Sequence, residues 1–243
     1  YCRDNSAPFH LPYEAVDNLA ATVNSNLSVD VPTGVGFCMY IRRSALDEIG
    51  LFDEETFGKG YGEENDFCMR AQEKGWRNVH ALDTFVFHSG ETSFDAAASR
   101  KKKALEAIAK KHPTYMKLIH SFIADDPARL GRMRLDTACL LRRHPTSSIL
   151  CFTHWWGGGI ERYLLDRAQQ LKSEGIDLLV ARPAESGSLK ACISVYTDTT
   201  PFGTDFATAP NLQSIDLVND QKTLSQFLRF CRTTCIEVHS TVG

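Results

Sequence analysis

The sequence predicts an α/β protein, and three observations carry that prediction. From residue 148 onward, apolar runs of strand length alternate with amphipathic helical stretches, the rhythm of a parallel sheet with crossover helices. Before that, short strand patterns mix with short helices. The middle, residues 96–145, is rich in strong helix formers and punctuated by Pro113, Pro127 and Pro145.

In order along the chain, residues 13–24 place Ala15, Val16, Leu19, Ala20 and Val23 on one helical stripe. Residues 35–42 (VGFCMYIR) read as a strand buried on both faces. Ser44 with Asp47 is placed to cap a short helix ending at Gly50. Residues 64–74 read as a helix closed by Gly75, and 78–88 as one or two short strands. The basic helical stretch 96–112 follows. After it come a strand at 148–154, a glycine loop (WWGGG), a helix at 160–173 with Leu164, Leu165, Ala168 and Leu171 on one face, and a strand at 176–183. A helix at 221–231 leads into a last strand at 235–240.

The bulk numbers exclude several functions. Hydrophobic content of 43% and charged content of 23% are those of an ordinary globular chain. A net charge of −3 lacks the basic surplus of a general nucleic-acid binder. No apolar run approaches the roughly 18 residues of a membrane span. Charge is nonetheless uneven: residues 96–145 hold twelve Lys and Arg against four Asp and Glu, a local +8 that leaves −11 elsewhere. That basic middle is either a solvated helix face or a membrane-surface contact. Cys38, Cys68, Cys139, Cys151 and Cys231 sit among apolar neighbours, and Cys231 and Cys235 lack the paired spacing of a zinc site. Reduced core cysteines in a cytoplasmic protein are expected, with the inner face of the plasma membrane as the variant location.

Chemistry concentrates in three places. FGKGYGEENDFCMR (57–70) sets Glu63, Glu64 and Asp66 at a helix start behind Gly58, Gly60 and Gly62. Acids there satisfy the helix dipole, and Asp66 suits a cap, so a capped helix with a solvated acidic face is one reading. The other gives Glu64 to a cleft as a general base. His88, ending an apolar strand before Ser-Gly, is a rim histidine or one ligand of a divalent cation. The glycines at 157–159, between a strand and a helix, allow close approach of a phosphate or sugar, or serve only as a tight turn.

These residues carry a resemblance. VDVPTGVGFCMYIRRSALDEIGLFDEETFGKGYGEENDFCMRAQEKGWRNVHALDTFVFHSG (29–90) resembles the C-terminal half of a family 2 glycosyltransferase domain of the GT-A fold, above all the bacterial rhamnosyltransferase-like members. The resemblance implies Glu64 as general base with Glu63 and Asp66 beside it. It also implies His88 as a ligand of the Mg²⁺ or Mn²⁺ that holds the nucleotide diphosphate. Gly34, Gly60, Tyr61 and Gly62 would line the acceptor side. Glu63-Glu64 stands where the family usually has Glu-Asp, and the QxxRW motif of processive synthases is missing. FTHWWGGGIERYLLDRAQQLKSEGIDLLVARP (152–183) resembles the opening of a family 4 glycosyltransferase of the GT-B fold. There His154, Gly157, Gly158, Gly159 and Glu161, with His239 of IEVHS, match the loops lining the substrate cleft.

The expected organisation is thus a partial GT-A domain (1–95), a basic helical linker (96–146) and a partial, Rossmann-like GT-B N-terminal domain (147–243). The expected activity is sugar transfer from a nucleotide sugar to a glycan or lipid-linked acceptor in surface polysaccharide synthesis, with no organic cofactor. The family's Asp-x-Asp motif is expected upstream and the GT-B donor domain downstream, so residues 1–243 alone are expected to be inactive. Two other classes compete: a non-catalytic glycan-binding or scaffold module, and a nucleotide-cofactor enzyme on the C-terminal α/β unit. The last is disfavoured by Arg182 and Pro183 where a ribose-binding acid belongs.

Overall fold

The computed structural model describes residues 11–58, 61–88, 95–154, 158–184, 189–196 and 214–239. Its first elements are α1 (Tyr13–Val23), β1 (Ser28–Asp30), α2 (Arg43–Ile49), α3 (Glu54–Phe57), α4 (Glu63–Glu73) and β2 (Val79–Ala81). Three helices follow: α5 (Asp95–Lys111), α6 (Tyr115–Asp125) and α7 (Arg129–Leu141). The remainder is β3 (Ser148–Phe152), α8 (Gly159–Ser173), β4 (Asp177–Pro183), β5 (Lys190–Val195), β6 (Ser214–Asp216), α9 (Gln221–Phe230) and β7 (Thr233–Val238). The chain divides into two units, one of residues 26–128 and one of 129–243 together with the N-terminal segment that ends at Ser25.

In the 26–128 unit, β1 and β2 form a two-stranded antiparallel ladder with Val29 opposite His80. Helix α4 carries three acids in its first turn and Arg70 in its last, both complementing the helix dipole. It stops where Gly75 takes a left-handed φ of +82°, which a side chain would strain. Its inner face buries Phe67, Cys68, Met69 and Ala71. Met69 packs with Ile108 of α5 and Tyr115 of α6, with Phe57, Met116 and Ile119 around them.

Two sequence expectations need correction here. Residues 35–42 form turns and loop instead of a strand, and Val35, Phe37 and Tyr40 are exposed. Gly36 breaks the run, and among the described residues no neighbouring strand pairs with it. Helix α2 begins after Arg42 with no side-chain cap, so Ser44 does not serve as one. The small α3, capped by Asp53 through Thr56 N–H at 3.0 Å, lies between the elements that were expected.

The second unit is built on a five-stranded sheet of order β6-β5-β4-β3-β7. Strands β3, β4 and β7 are parallel, with Leu150 aligned to Leu179 and Ile236. Strands β5 and β6 are antiparallel additions, so the sheet is open and mixed where a purely parallel one was expected. The link from β4 to β5 is too short for a crossover helix, and a hairpin-like reversal results.

Both faces of β3 are covered, which is why SILCF is one continuous apolar run. Leu150 packs with Leu179, Ile193, Ile215 and Phe227 of α9 and Met133 of α7. On the other face Ile149 and Cys151 meet Leu164 and Leu171 of α8. Helix α1 packs on α7, and the buried Asn24 donates to Gly131 C=O at 3.0 Å. Among the described residues no helix is long and apolar enough to cross a membrane. All seven described cysteines are free thiols; Cys68, Cys151, Cys192 and Cys231 are buried, whereas Cys38 and Cys235 are exposed, so Cys38 is no core residue.

Candidate functional site

Gly62 starts α4 at φ +95°, and a Cβ there would lie 2.8 Å from Phe57. Glycine is therefore required twice over, by backbone conformation and by space. The turn it makes aims the first-turn side chains apart, and the two predicted carboxylates on either side of Asn65 meet opposite fates.

Asp66 has no exposed side-chain surface and is held by Arg70, Lys111 and His112. Arg70 Nε, Lys111 Nζ and His112 Nε2 lie 2.7, 2.8 and 2.8 Å from its oxygens. Arg70 also donates to the carbonyls of Ile49 and Leu51 at 2.9 Å, and Lys111 reaches Asp53 at 2.7 Å. Burial alone would raise the Asp66 carboxyl, but Lys111, His112 and Arg70 more than offset it and hold it below the usual range. This residue joins α4 to the end of α5 and to the loop before α3. It makes no cap, contrary to the sequence expectation.

Glu64 is half-buried, and no cation among the described residues stands beside it. Its Oε2 accepts from the Gly62 N–H at 3.2 Å. Burial pushes its carboxyl above the ordinary value and the Glu63 charge adds to the rise, against the N–H groups of Glu64 and Gly62. The Thr33–Phe37 loop closes over it: a Cβ on Gly36 would sit 4.0 Å from Glu64 Cγ. Gly34 N–H donates to Cys68 Sγ at 3.2 Å, and Tyr115 shares a hydrogen bond with the buried Thr33. The Glu64 charge in turn raises the Cys68 thiol and the Tyr115 phenol, after burial, which places all three in one microenvironment. Thr33 and Tyr115 were not singled out in the sequence, and Cys68 was read only as a core cysteine; the adjacency of Thr33 to Gly34 was the one hint of this grouping.

The other expected residues of this unit are spread around that loop. The His88 imidazole packs on Phe37 with centroids 4.7 Å apart, which brings it to the same loop as Glu64. Among the described residues no group of three or more His, Cys, Asp or Glu side chains is gathered to hold a metal ion, so His88 offers at most one ligand. Tyr61 lies under the basic run: Lys101 Nζ and Arg100 stand 5.2 and 5.9 Å from its ring centroid. Part of the cationic stretch is thus spent on an aromatic face. Gly60 and Gly157 lie outside the described residues.

The second unit gathers its predicted residues at the carboxyl ends of β3 and β7. Helices α8 and α9 cover opposite faces of the sheet, and β3 and β7 are the neighbouring parallel strands between them, which is the position of a ligand crevice in open α/β folds. Gly158, at φ +77°, and Gly159 open α8 with empty space where a Cβ would be. Thr153 and His154 follow β3, and the buried Thr153 hydroxyl has no partner among the described residues. His239 donates its N–H to Phe152 C=O at 3.0 Å and packs on Tyr163 at 4.3 Å. Beside it Glu237 accepts from Arg167 at 2.7 Å and Tyr163 at 3.0 Å. Burial would raise the Glu237 carboxyl, yet Arg167, Tyr163 and His239 hold it below its usual range.

Glu161 departs from a substrate-facing role. It is buried and accepts from Arg182 Nη2 at 2.6 Å, with Tyr196 also bonded to it. The same Arg182 that displaces a ribose-binding acid is therefore the counter-ion that locks α8 to β4. Glu237, Tyr163 and Arg167 were missed in the sequence, since their meeting depends on the β3–β7 register. No protein-family model, curated protein or solved structure matches this chain.

Proposed function

We propose that the chain is part of a glycosyltransferase in which Glu64 activates an acceptor hydroxyl. In the reaction the acceptor oxygen bonds to the sugar's anomeric carbon while the bond to the nucleotide diphosphate breaks. The hydroxyl proton passes to Glu64, and the diphosphate leaves with the electron pair. The supporting observation is the contrast along α4: Arg70, Lys111 and His112 engage Asp66, whereas Glu64 is half-buried, raised in pKa and faced by a loop with two glycines. A carboxyl tuned upward by burial is a stronger proton acceptor than an exposed one.

A partial GT-A unit before the basic helices and a partial GT-B unit on the five-stranded sheet remain the architectures proposed here. A Mg²⁺ or Mn²⁺ ion would supply charge for the leaving diphosphate, with His88 as one ligand. The competing reading is a glycan-binding module without chemistry, favoured by the exposure of Phe37 and Tyr40 (51% and 91%) on the loop beside Glu64, since aromatic faces stack on sugars. The two readings separate in the complete polypeptide that carries these residues, assayed with nucleotide sugars and glycan or lipid acceptors. Glu64→Gln should lower transfer roughly a hundredfold while leaving acceptor binding intact. Wild-type transfer in that variant would remove Glu64 from the chemistry, and acceptor binding with no transfer by any nucleotide sugar would favour the module.

A further inference from the structure

A cleft of about 330 Å³ runs along α9 into the start of β7, lined by Gln221, Leu224, Ser225, Leu228, Arg229, Arg232 and Thr233. It lies at the amino end of β7, whereas His239 and Glu237 stand at its carboxyl end. Its volume falls within the range of small-molecule sites. Its floor is apolar, made by Leu224 and Leu228, which back onto the sheet core. Its lower end carries Arg229 and Arg232, both exposed, and neither guanidinium has a carboxylate partner among the described residues.

One more cation, Arg134, belongs to the surroundings. Phe230, between those arginines, packs against His144 with centroids 4.9 Å apart and lies 5.3 Å under the Arg134 guanidinium. Arg134 Nε is itself buried without a hydrogen-bond partner. The nearby acids are engaged elsewhere: Asp177 with Arg143, and Asp220 with Arg129. Cations at a helix C-terminus are favoured by the dipole, which accounts for Arg229. It does not account for Arg232, which lies beyond the helix at φ +51°.

We propose that this cleft docks the phosphate of an anionic membrane lipid, with Arg229 and Arg232 on the phosphate and the Leu224–Leu228 floor against the adjoining hydrocarbon. Charge complementarity and the apolar floor together select a lipid over a free anion, which would leave the floor wet. The site is independent of the glycosyltransferase reading. It also differs from the Arg100–Lys103 run, part of which already lies on Tyr61.

The test is co-sedimentation of the 243-residue chain with phosphatidylcholine vesicles, with and without about a third phosphatidylglycerol, at physiological ionic strength. Anionic vesicles should bind at least tenfold better than neutral ones. The double variant Arg229→Gln/Arg232→Asn, whose Asn tolerates the left-handed backbone, should lose about ten- to thirtyfold of that affinity without a change in melting temperature. Lys102→Gln/Lys103→Gln, on exposed positions of α5, should lose threefold at most. Failure to bind anionic vesicles would overturn the proposal. So would loss in the Lys102/Lys103 variant alone, which would give the contact to α5. Titration with inorganic phosphate forms the third arm: saturable binding that the arginine variant abolishes, with no added affinity from vesicles, would show a free-anion site and contradict the lipid assignment.

Discussion

The two units of this chain are held together by different forces. In residues 129–243 a five-stranded sheet is covered on both faces, and its core is apolar from Leu150 through Ile193, Ile215 and Phe227. In residues 26–128 the described sheet is two strands of three residues each, and the buried apolar cluster is Met69, Ile108 and Tyr115. To that cluster Asp66 adds a buried network with Arg70, Lys111 and His112, reinforced by Arg70 on the Ile49 and Leu51 carbonyls. A sheet core tolerates changes of pH and salt, because area removed from water carries no charge. An ion network does not. The unit proposed to hold the base is thus the one in which a buried ion network supplements a smaller apolar cluster.

The sharpest way to break that comparison is to remove one element from each side. Leu150→Ala deletes a side chain with no exposed surface from the central strand and should cost about 4 kcal/mol, independent of pH from 4 to 8. Asp66→Asn leaves Lys111 and His112 facing an amide and should cost about 3 kcal/mol. Hydrogen exchange read by mass spectrometry should localise the lost protection, to 129–243 for the first variant and to 26–128 for the second. Asp66 is lowered in the fold, so its contribution is full above the unfolded value near 3.8 and drains away as pH falls through the lower folded value. The acid sensitivity of the 26–128 unit should accordingly shrink in Asp66→Asn. Equal acid sensitivity in both proteins would refute the electrostatic account of that unit.

Two glycines sharpen the comparison on a smaller scale. Gly62→Ala meets both a positive φ and the Phe57 ring at 2.8 Å, and should cost about 2 kcal/mol. Gly158→Ala meets a positive φ but open space, and should cost about 1 kcal/mol. Thermal melts should therefore rank Gly62→Ala below Gly158→Ala. The reverse order would mean that the α8 loop packs more tightly than the empty space beside Gly158 indicates.

What the sequence made legible follows from how local each signal is. Helices α1, α4, α8 and α9 and strands β3, β4 and β7 could be read from local patterning, and α5 from its strong helix formers, within two or three residues of their observed ends. The antiparallel β5 and β6 were not found. In KACISV, Ala191, Ile193 and Val195 face one core cluster, but pairing with Pro183 through Leu179 needs a reversal whose only sequence signal is the Ser-Gly of AESGSL (184–189). Residues 35–42 misled for the opposite reason: an apolar stretch without strand partners stays a loop, with Tyr40 in solvent.

At the site, the three acids of α4 were legible as a group, but their roles were not. Asp66 is decided by Lys111 and His112, some 46 residues downstream, and no local pattern joins them. Glu161 likewise gained Arg182 across the β4 register, and Glu237 gained Arg167 across that of β7. Charge partners made by tertiary register are invisible to spacing.

The smallest expected effect concerns Glu64. Its raised carboxyl favours the fold fully below the unfolded glutamate value and loses that contribution as pH rises through the higher folded value. Neutral Glu64→Gln, which can still accept from the Gly62 N–H, should therefore melt about 1–3 °C higher at pH 7 than the parent. A lower melting temperature would show that the charge supports the fold.

Carbon-13 NMR titration of the side-chain carboxyls tests the central contrast most directly, because it reads Glu64 and Asp66 in one sample of the native chain. With Glu64→Gln and Asp66→Asn fixing the assignments, the account predicts Glu64 titrating above 4.5 and Asp66 below 3.8, in opposite directions from their ordinary values. Glu64 titrating at or below its ordinary value would leave α4 with no poised base and would contradict the account.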